Sequence, residues 1–180
     1  MPNIFFASDH HFGHRNIIKF TGLDGELIRP GFESIEHMNE TIIERHNKVV
    51  KPNDKFYCGG DFGDPEMARR MNGHKRLILG NHDQDIRRLS AAFEKIQLLR
   101  YWKDDGLNFL HTHFPVHMTA DQVPARALHF NVHGHIHEKL VRHDDGSLDN
   151  RYINICVEHL NYTPIHYDEL VAIMKNRMVA

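Results

Sequence analysis

Short apolar runs that each break into a polar, histidine-bearing cluster set the tightest constraint on how this chain can fold. "NIFFAS" leads into "DHHFGH", "DKFYCG" into "GDFGD", "KRLILG" into "NHD", and "GLNFLHT" into "HFP". Runs of this length, rich in Phe, Ile, Leu and Tyr, read as buried strands. Helical patterns lie between them. Ile35, Met38, Ile42, His46 and Val49 recur at spacings of three and four, with Ser34 placed to cap the first turn. "DPEMARRMN" at 64 to 72 puts Pro65 at a natural first-turn position, and "YDELVAIMKNRMV" reads as an amphipathic helix. Strands alternating with helices predict an α/β layered fold with largely parallel strands. The second half has a different rhythm. Hairpins around Asp105-Gly106 and Asp145-Gly146 predict a second, more antiparallel sheet. With 180 residues and no linker or internal repeat, the expectation is a single domain over residues 1–180.

Composition removes several classes of function. The formal charge of −2 argues against a large basic face that grips nucleic acid by charge alone. Residues 66 to 103 are locally basic, a pattern that usually marks solvated helix faces. Cys58 and Cys156 lie in apolar runs outside any paired motif, so buried free thiols in a reducing compartment are expected. "MPNIFFASDHH" has no basic leader and its apolar run breaks at Asp9, which is not the pattern of a signal peptide. No stretch approaches the roughly 20 apolar residues of a membrane span. The cytoplasm is the expected location, and the sequence carries no signal for an oligomeric state.

The polar clusters follow directly on predicted strands. In open α/β sheets the ligand crevice lies outside the carboxyl ends of the strands. Groups distant in sequence therefore converge there: Asp9 and His11, Asp61 and Asp64, Asn81 and His82, His113, then His135 and His137. The chain has 17 histidines, so chance clustering has to be weighed. These groups offer only oxygen and nitrogen donors, a set suited to Mn, Fe, Zn, Ni or Co and poor for an iron–sulfur centre. They exceed what one catalytic ion takes from protein. Two ions about 3.5–4 Å apart, sharing a carboxylate, fit better. Such a pair, with two carboxylates and a hydroxide, retains about one positive charge, enough to favour an anion such as a phosphate ester.

Asp-x-His at 9 to 11, Gly-Asp-x-x-Asp at 60 to 64, Gly-Asn-His-Asp at 80 to 83, the strand-terminal His113 and Gly-His-x-His at 134 to 137 together resemble the calcineurin-like metallophosphoesterase superfamily. The opening "SDHHFGHRNIIKF" is similar to its small bacterial and bacteriophage members. The resemblance implies a four-layer α/β/β/α sandwich of two mixed sheets flanked by helices. It implies two divalent transition-metal ions, manganese foremost. Asp9, His11 and His137 would hold the first, Asn81, His113 and His135 the second, and Asp61 would bridge. His82 would stand by the leaving group as proton donor or electrostatic stabiliser, with Asp64 orienting it, and a hydroxide between the ions would attack. The reaction implied is hydrolysis of a phosphodiester or phosphomonoester of a small, nucleotide-type substrate.

Alternatives stay open at several points. "FLHTHFP" offers His111 as well as His113, with His113 better placed before Pro115. His135 and His137 could be incidental, Asp61 and Asp64 could only cap a helix, and "GNHD" could be only a turn. His10, His14, His117 and His133 stand beside motifs without any need to touch the site. Arg29, Arg126 and Asn16 are candidate phosphate contacts. A non-catalytic interaction scaffold of the same fold and a polymer nuclease are the rival functions. No ligand position is missing, which argues against the first, and the net charge argues against the second.

Overall fold

The structure, a computed structural model, describes residues 2–104, 106–118 and 128–179. Arg126, and Asp105 of the hairpin expected at Asp105-Gly106, lie outside the described residues. The first sheet contains β1 (Ile4–Ala7), β2 (Lys55–Cys58), β3 (His74–Ile78), β4 (Lys95–Gln97) and β9 (Ile165–His166), in the order β4-β3-β2-β1-β9. β1 to β4 run parallel, and β9 is antiparallel to β1. The second sheet has the order β5-β6-β7-β8, from β5 (Leu99–Asp104), β6 (Leu107–Thr112), β7 (Phe130–His133) and β8 (Tyr152–Asn154).

Period-two alternation builds two cores from single strands. Phe5 and Ala7 of β1, with Phe56 and Cys58 of β2, face one apolar cluster. There they meet Ile35, Met38 and Ile42 of α1 (Ile35–Val49) and Leu89 of α2 (Ile86–Ala92). Phe6 and Tyr57, on the opposite face, join Trp102, Phe109, Phe130, Val132 and Ile153 of the second sheet. Leu170 and Met174 of α3 (Tyr167–Val179) enter that second cluster. The result is the expected α/β sandwich of two mixed sheets flanked by helices. Ser34 caps α1 as predicted, its side chain accepting the His37 N–H at 3.0 Å. The segment after Asp64 forms a 3₁₀ helix, Pro65–Arg70, rather than an α-helix.

The antiparallel reading of the second half needs correction. β5 and β6 do pair antiparallel, but β6-β7 and β7-β8 are parallel. Around Asp145-Gly146 the chain does turn back on itself as expected, with an antiparallel bridge between Arg142 and Leu148 and the Asp149 N–H donating to Val141 O at 3.1 Å, but the turn is short and is not part of either sheet. β8 follows this turn and extends the sheet beside β7, where Val132 and Ile153 join the second apolar cluster. β4 and α2, short and weakly patterned, had no sequence signal strong enough to place them.

Both thiols are buried and free. Burial also holds histidines uncharged. His46 faces Phe56 edge-on, with Nε2 3.0 Å from the Asn72 carbonyl oxygen, and burial holds it down to about 4. An unfolded chain takes up that proton near pH 6.5, and the folded chain refuses it until about pH 4. The associated stability is therefore complete above pH 6.5 and is lost as pH falls toward 4, by about 1.4 kcal/mol per unit. His46→Leu is expected to lower the melting temperature slightly at pH 7, because Asn72 loses a partner. It should also flatten the fall between pH 6.5 and 4.5, which thermal denaturation of both proteins measures.

Candidate metal centre

Every predicted ligand segment leaves the carboxyl end of a strand: β1 for Asp9 and His11, β2 for Asp61, β3 for Asn81, β6 for His113, and β7 for His135 and His137. Backbone hydrogen bonds stitch these exits together. The Asp9 N–H donates to Gly60 O at 2.9 Å, His11 N–H to Asp61 O at 3.0 Å, and Gly134 N–H to His113 O at 2.9 Å. The two sheets thus deliver their ligands to one edge.

The backbone there is unusual. Asp9, His11, Asp61, His135 and His137 all have positive φ, between 48° and 70°. The other described non-glycine residues of this kind are Asn161 and Tyr162. Left-handed backbone costs a non-glycine residue on the order of 1 kcal/mol and survives only where surrounding structure enforces it. Its concentration in five candidate ligands marks a functional site. Two motif glycines are required by close approach. A Cβ on Gly80 would strike Asp61 Oδ1, and one on Gly134 would strike Ser8 Oγ and Asp9 Oδ2.

Two groups form there. Donor atoms of Asp9, His11 and His137 lie within 4.8 Å of one another, as do those of Asp61, His113 and His135. Asp61 joins the groups: its Oδ2 is 3.7 Å from His11 Nε2 and 3.4 Å from His113 Nε2. Each carboxylate spends one oxygen on the protein and turns the other inward. Asp9 Oδ2 accepts from the Ser8 hydroxyl and the His135 N–H, while Asp61 Oδ1 accepts the His82 N–H at 2.8 Å. Asp9 Oδ1 and His11 Nε2 are buried without a hydrogen-bond partner. Orphaned buried acceptors of this kind are costly and fit a bound cation.

The electrostatics agree. Burial pushes the Asp9 carboxyl up, a sign of missing counter-charge, and holds His11 down to about 3, so its ring is neutral at pH 7. Burial opposes a proton on His113, but its hydrogen bond to Asp61 and the charges of Asp9 and Asp61 outweigh it and raise the pKa.

The remaining candidates divide. Asn81 Oδ1 lies 3.0 Å from His113 Nε2, within reach of the second group. His111 does not join. It is fully buried against Phe6, with both ring nitrogens unpartnered, so His113 is the site histidine of the pair. The exposed His82 ring stands 5.4 Å from that of His11. Asp64 does not hydrogen-bond His82 as expected. Its Oδ1 caps Glu66 N–H at 3.2 Å and pairs with Arg88 at 2.8 Å, because the 3₁₀ turn draws the carboxylate to its own N-terminus.

Arg29 is not a phosphate contact: it is 0% exposed and lies beneath the site. His10 packs among Phe12, Phe56 and Phe62, and His133 is buried with Nδ1 on Gly134 O. His117 and Asn16 are exposed, with no contact to either group of ligands among the described residues. His14 is nearer, its ring 5.7 Å from that of His11. Two residues escaped sequence reasoning. Asp83 closes the Gly-Asn-His-Asp motif and receives the N–H groups of Asp61, Phe62 and Gly80 at 2.8–3.0 Å, which shapes the Asp61 turn. Glu158 accepts from His137 Nδ1 at 2.8 Å. The motif hinted at the first, and nothing in sequence pointed to the second.

Two concavities lie nearby, one reaching the candidate ligands His135 and His137 and the other reaching His82. One of about 290 Å³ is lined by His135, His137, Thr21 and Leu23, and one of about 380 Å³ by His82, Asp64, Gln84 and Arg88.

Residues 3–155 match the family model of the calcineurin-like phosphoesterase superfamily domain. The chain belongs to this superfamily. An uncharacterized protein of Methanocaldococcus jannaschii is 30% identical over 191 residues, spanning 99% of this chain and 95% of that one. The Gene 66 protein of Mycobacterium phage L5 is 25% identical, spanning 78% of this chain and 80% of that one. The crystal structure of a protein of unknown function from Aquifex aeolicus superposes with a TM-score of 0.71 at 26% identity, covering 96% of this chain and all (100%) of that one.

Proposed function

We propose that this chain is a phosphoesterase that uses two divalent ions to hydrolyse a small, nucleotide-type phosphodiester or a phosphomonoester. The sharing of Asp61 between two ligand groups, in strained backbone at one sheet edge, carries this reading. Asp9, His11 and His137 would hold one ion, Asn81, His113 and His135 the other, with Asp61 between them. The donor set has oxygen and imidazole but no thiolate, which suits manganese, iron, zinc, nickel or cobalt. Bound there, the ions would polarise phosphoryl oxygens and bring the pKa of water toward neutrality.

The chain's own residues do the rest. Asn81 is neutral, so the ligand set leaves positive charge unmatched, and an anionic ester gains by entering. Gly80 and Gly134 let the backbone approach closely enough to aim Asp61 and Asp9. His82, exposed beside the His11 ring, would give a proton to the leaving oxygen. Two concavities suit a phosphorus with two ester arms and favour a diester. The net charge of −2 favours a small substrate over a polymer. No helix among the described residues is long and apolar enough to cross a membrane, and the two free buried thiols suit the cytoplasm.

The test is to strip the protein with chelator, reload it with Mn²⁺, and count metal. Activity is then measured on bis-p-nitrophenyl phosphate, p-nitrophenyl phosphate, cyclic nucleotides and short oligonucleotides. About two metals per chain, chelator-sensitive hydrolysis and faster turnover of diesters are expected. Metal binding with no hydrolysis of any substrate under any metal would establish the scaffold reading instead.

A further inference from the structure

Beneath the candidate metal centre lies an ion pair that no part of the hydrolytic reading uses. Arg29 is 0% exposed, and the Glu158 side chain is 6% exposed. Arg29 Nε donates to Glu158 Oε1 at 2.8 Å. Its other nitrogens donate to the main chain of the Asp9–His11 turn, NH1 to His10 O at 3.0 Å and NH2 to Asp9 O. Glu158 Oε1 also accepts from His137 Nδ1 at 2.8 Å. A guanidinium offers its donors in a fixed planar fork, so these bonds lock together.

The connection reaches all of the first ligand group. Asp9 and His11 hold φ at 59° and 52°, and the carbonyls of Asp9 and His10 turn inward to Arg29. His137 holds φ at 48°, and its ring is oriented by Glu158. With Nδ1–H committed to Glu158, the free lone pair of His137 is on Nε2. Arg29 and Glu158 lie 129 residues apart, and the contact ties the connection between β1 and α1 to the chain beyond β8.

We propose that Arg29 and Glu158 form a buried clamp that positions Asp9, His11 and His137 and thereby sets the affinity of the first ion, without touching the ion or the substrate. This rests on the two-metal reading above. The pair is charge-neutral, so its effect is geometric: it maintains left-handed backbone at two ligands and fixes the ring of the third. Groups that orient metal-binding imidazoles typically account for about 10- to 100-fold in metal affinity.

The test separates geometry from charge and from folding. Replacing a buried ion pair by apolar residues of similar volume is often neutral for stability. The double variant Arg29→Leu/Glu158→Leu should therefore fold, with a metal-free melting temperature near that of the parent. Calorimetric titration of chelator-treated protein with Mn²⁺ should show one of the two sites weakened about 10- to 100-fold and the other unchanged. Glu158→Gln keeps an acceptor for His137 and should retain more of the affinity than Glu158→Leu.

Arg29→Met tests the rival, purely electrostatic account. It leaves Glu158 as an unmatched anion below the site, so that account requires tighter cation binding, whereas the clamp requires weaker binding. Two parental affinities in the folded double variant, or tighter binding in Arg29→Met, would overturn the clamp and leave the two-metal reading standing. A parent that binds no metal would overturn both.

Discussion

Asp61→Asn should abolish hydrolysis, with a loss of at least about 10³-fold, and should cost the protein at least one ion. Asp61 Oδ2 is the oxygen placed between His11 and His113, while Oδ1 is held by the His82 N–H. Asparagine keeps the shape and can keep the Oδ1 contact, but the shared atom becomes neutral or an amide nitrogen. Losing several kcal/mol of charge stabilisation at the reacting phosphoryl corresponds to about three powers of ten or more in rate. Folding should survive, because the Asp61 turn is also held by Asp83, which accepts the main-chain N–H groups of Asp61 and Phe62. Two melting temperatures make the measurement. Metal at about 100 times its dissociation constant stabilises a folded protein by about 2.7 kcal/mol. The parent should show such a shift on adding Mn²⁺, and the variant should show a clearly smaller one while its metal-free transition stays near the parental one. A variant that gains the full metal shift and keeps activity would remove Asp61 from the centre.

The second large effect is expected at His82. Its main-chain N–H is tied to Asp61 while its ring lies exposed beside His11 and His14. It can therefore be truncated without disturbing a ligand. His82→Ala should lower kcat by about 10²- to 10⁴-fold, the usual contribution of a positioned proton donor, with metal content unchanged. The loss should shrink for nitrophenyl esters, whose leaving groups need no proton, and be largest for alkyl esters. Equal losses on both would take the general-acid role away from His82. Asp64→Asn provides the contrast. Its carboxylate is taken by Arg88 and by the 3₁₀ turn, so kcat should change by no more than a few-fold. A fall as deep as that of His82→Ala would show that Asp64 swings to His82 during turnover.

Much of the candidate site was legible because its chemistry comes in short segments. Asp9 and His11, Asn81 and His82, and His135 and His137 sit two residues apart or adjacent, and each follows an apolar run. Once the runs read as parallel strands, their polar exits had to share an edge. The choice of His113 over His111 came from the family resemblance, which implies a histidine shortly before Pro115, and burial of His111 against Phe6 agrees with it. The failures share a cause as well. Arg29 looked like a phosphate contact because a lone arginine near a motif is surface-like by default, and Glu158 had no motif at all. Each is explained only by the other, across 129 residues.

The sequence by itself determined the layered α/β class, the capping of α1 and which residues converge on the candidate site. Those depend on residue periodicity and on donor chemistry, both of which are local. Tertiary structure alone decided the rest. It set the parallel register of β7 and β8, which buries Val132 and Ile153 in the second core. It drove Asp9, His11, Asp61, His135 and His137 into left-handed backbone that none of them adopts freely. It also turned Asp64 away from His82 toward Arg88. Backbone strain and buried ion pairs exist only where distant segments enforce them, because each is unfavourable in an isolated stretch of chain and is offset solely by contacts the whole fold provides.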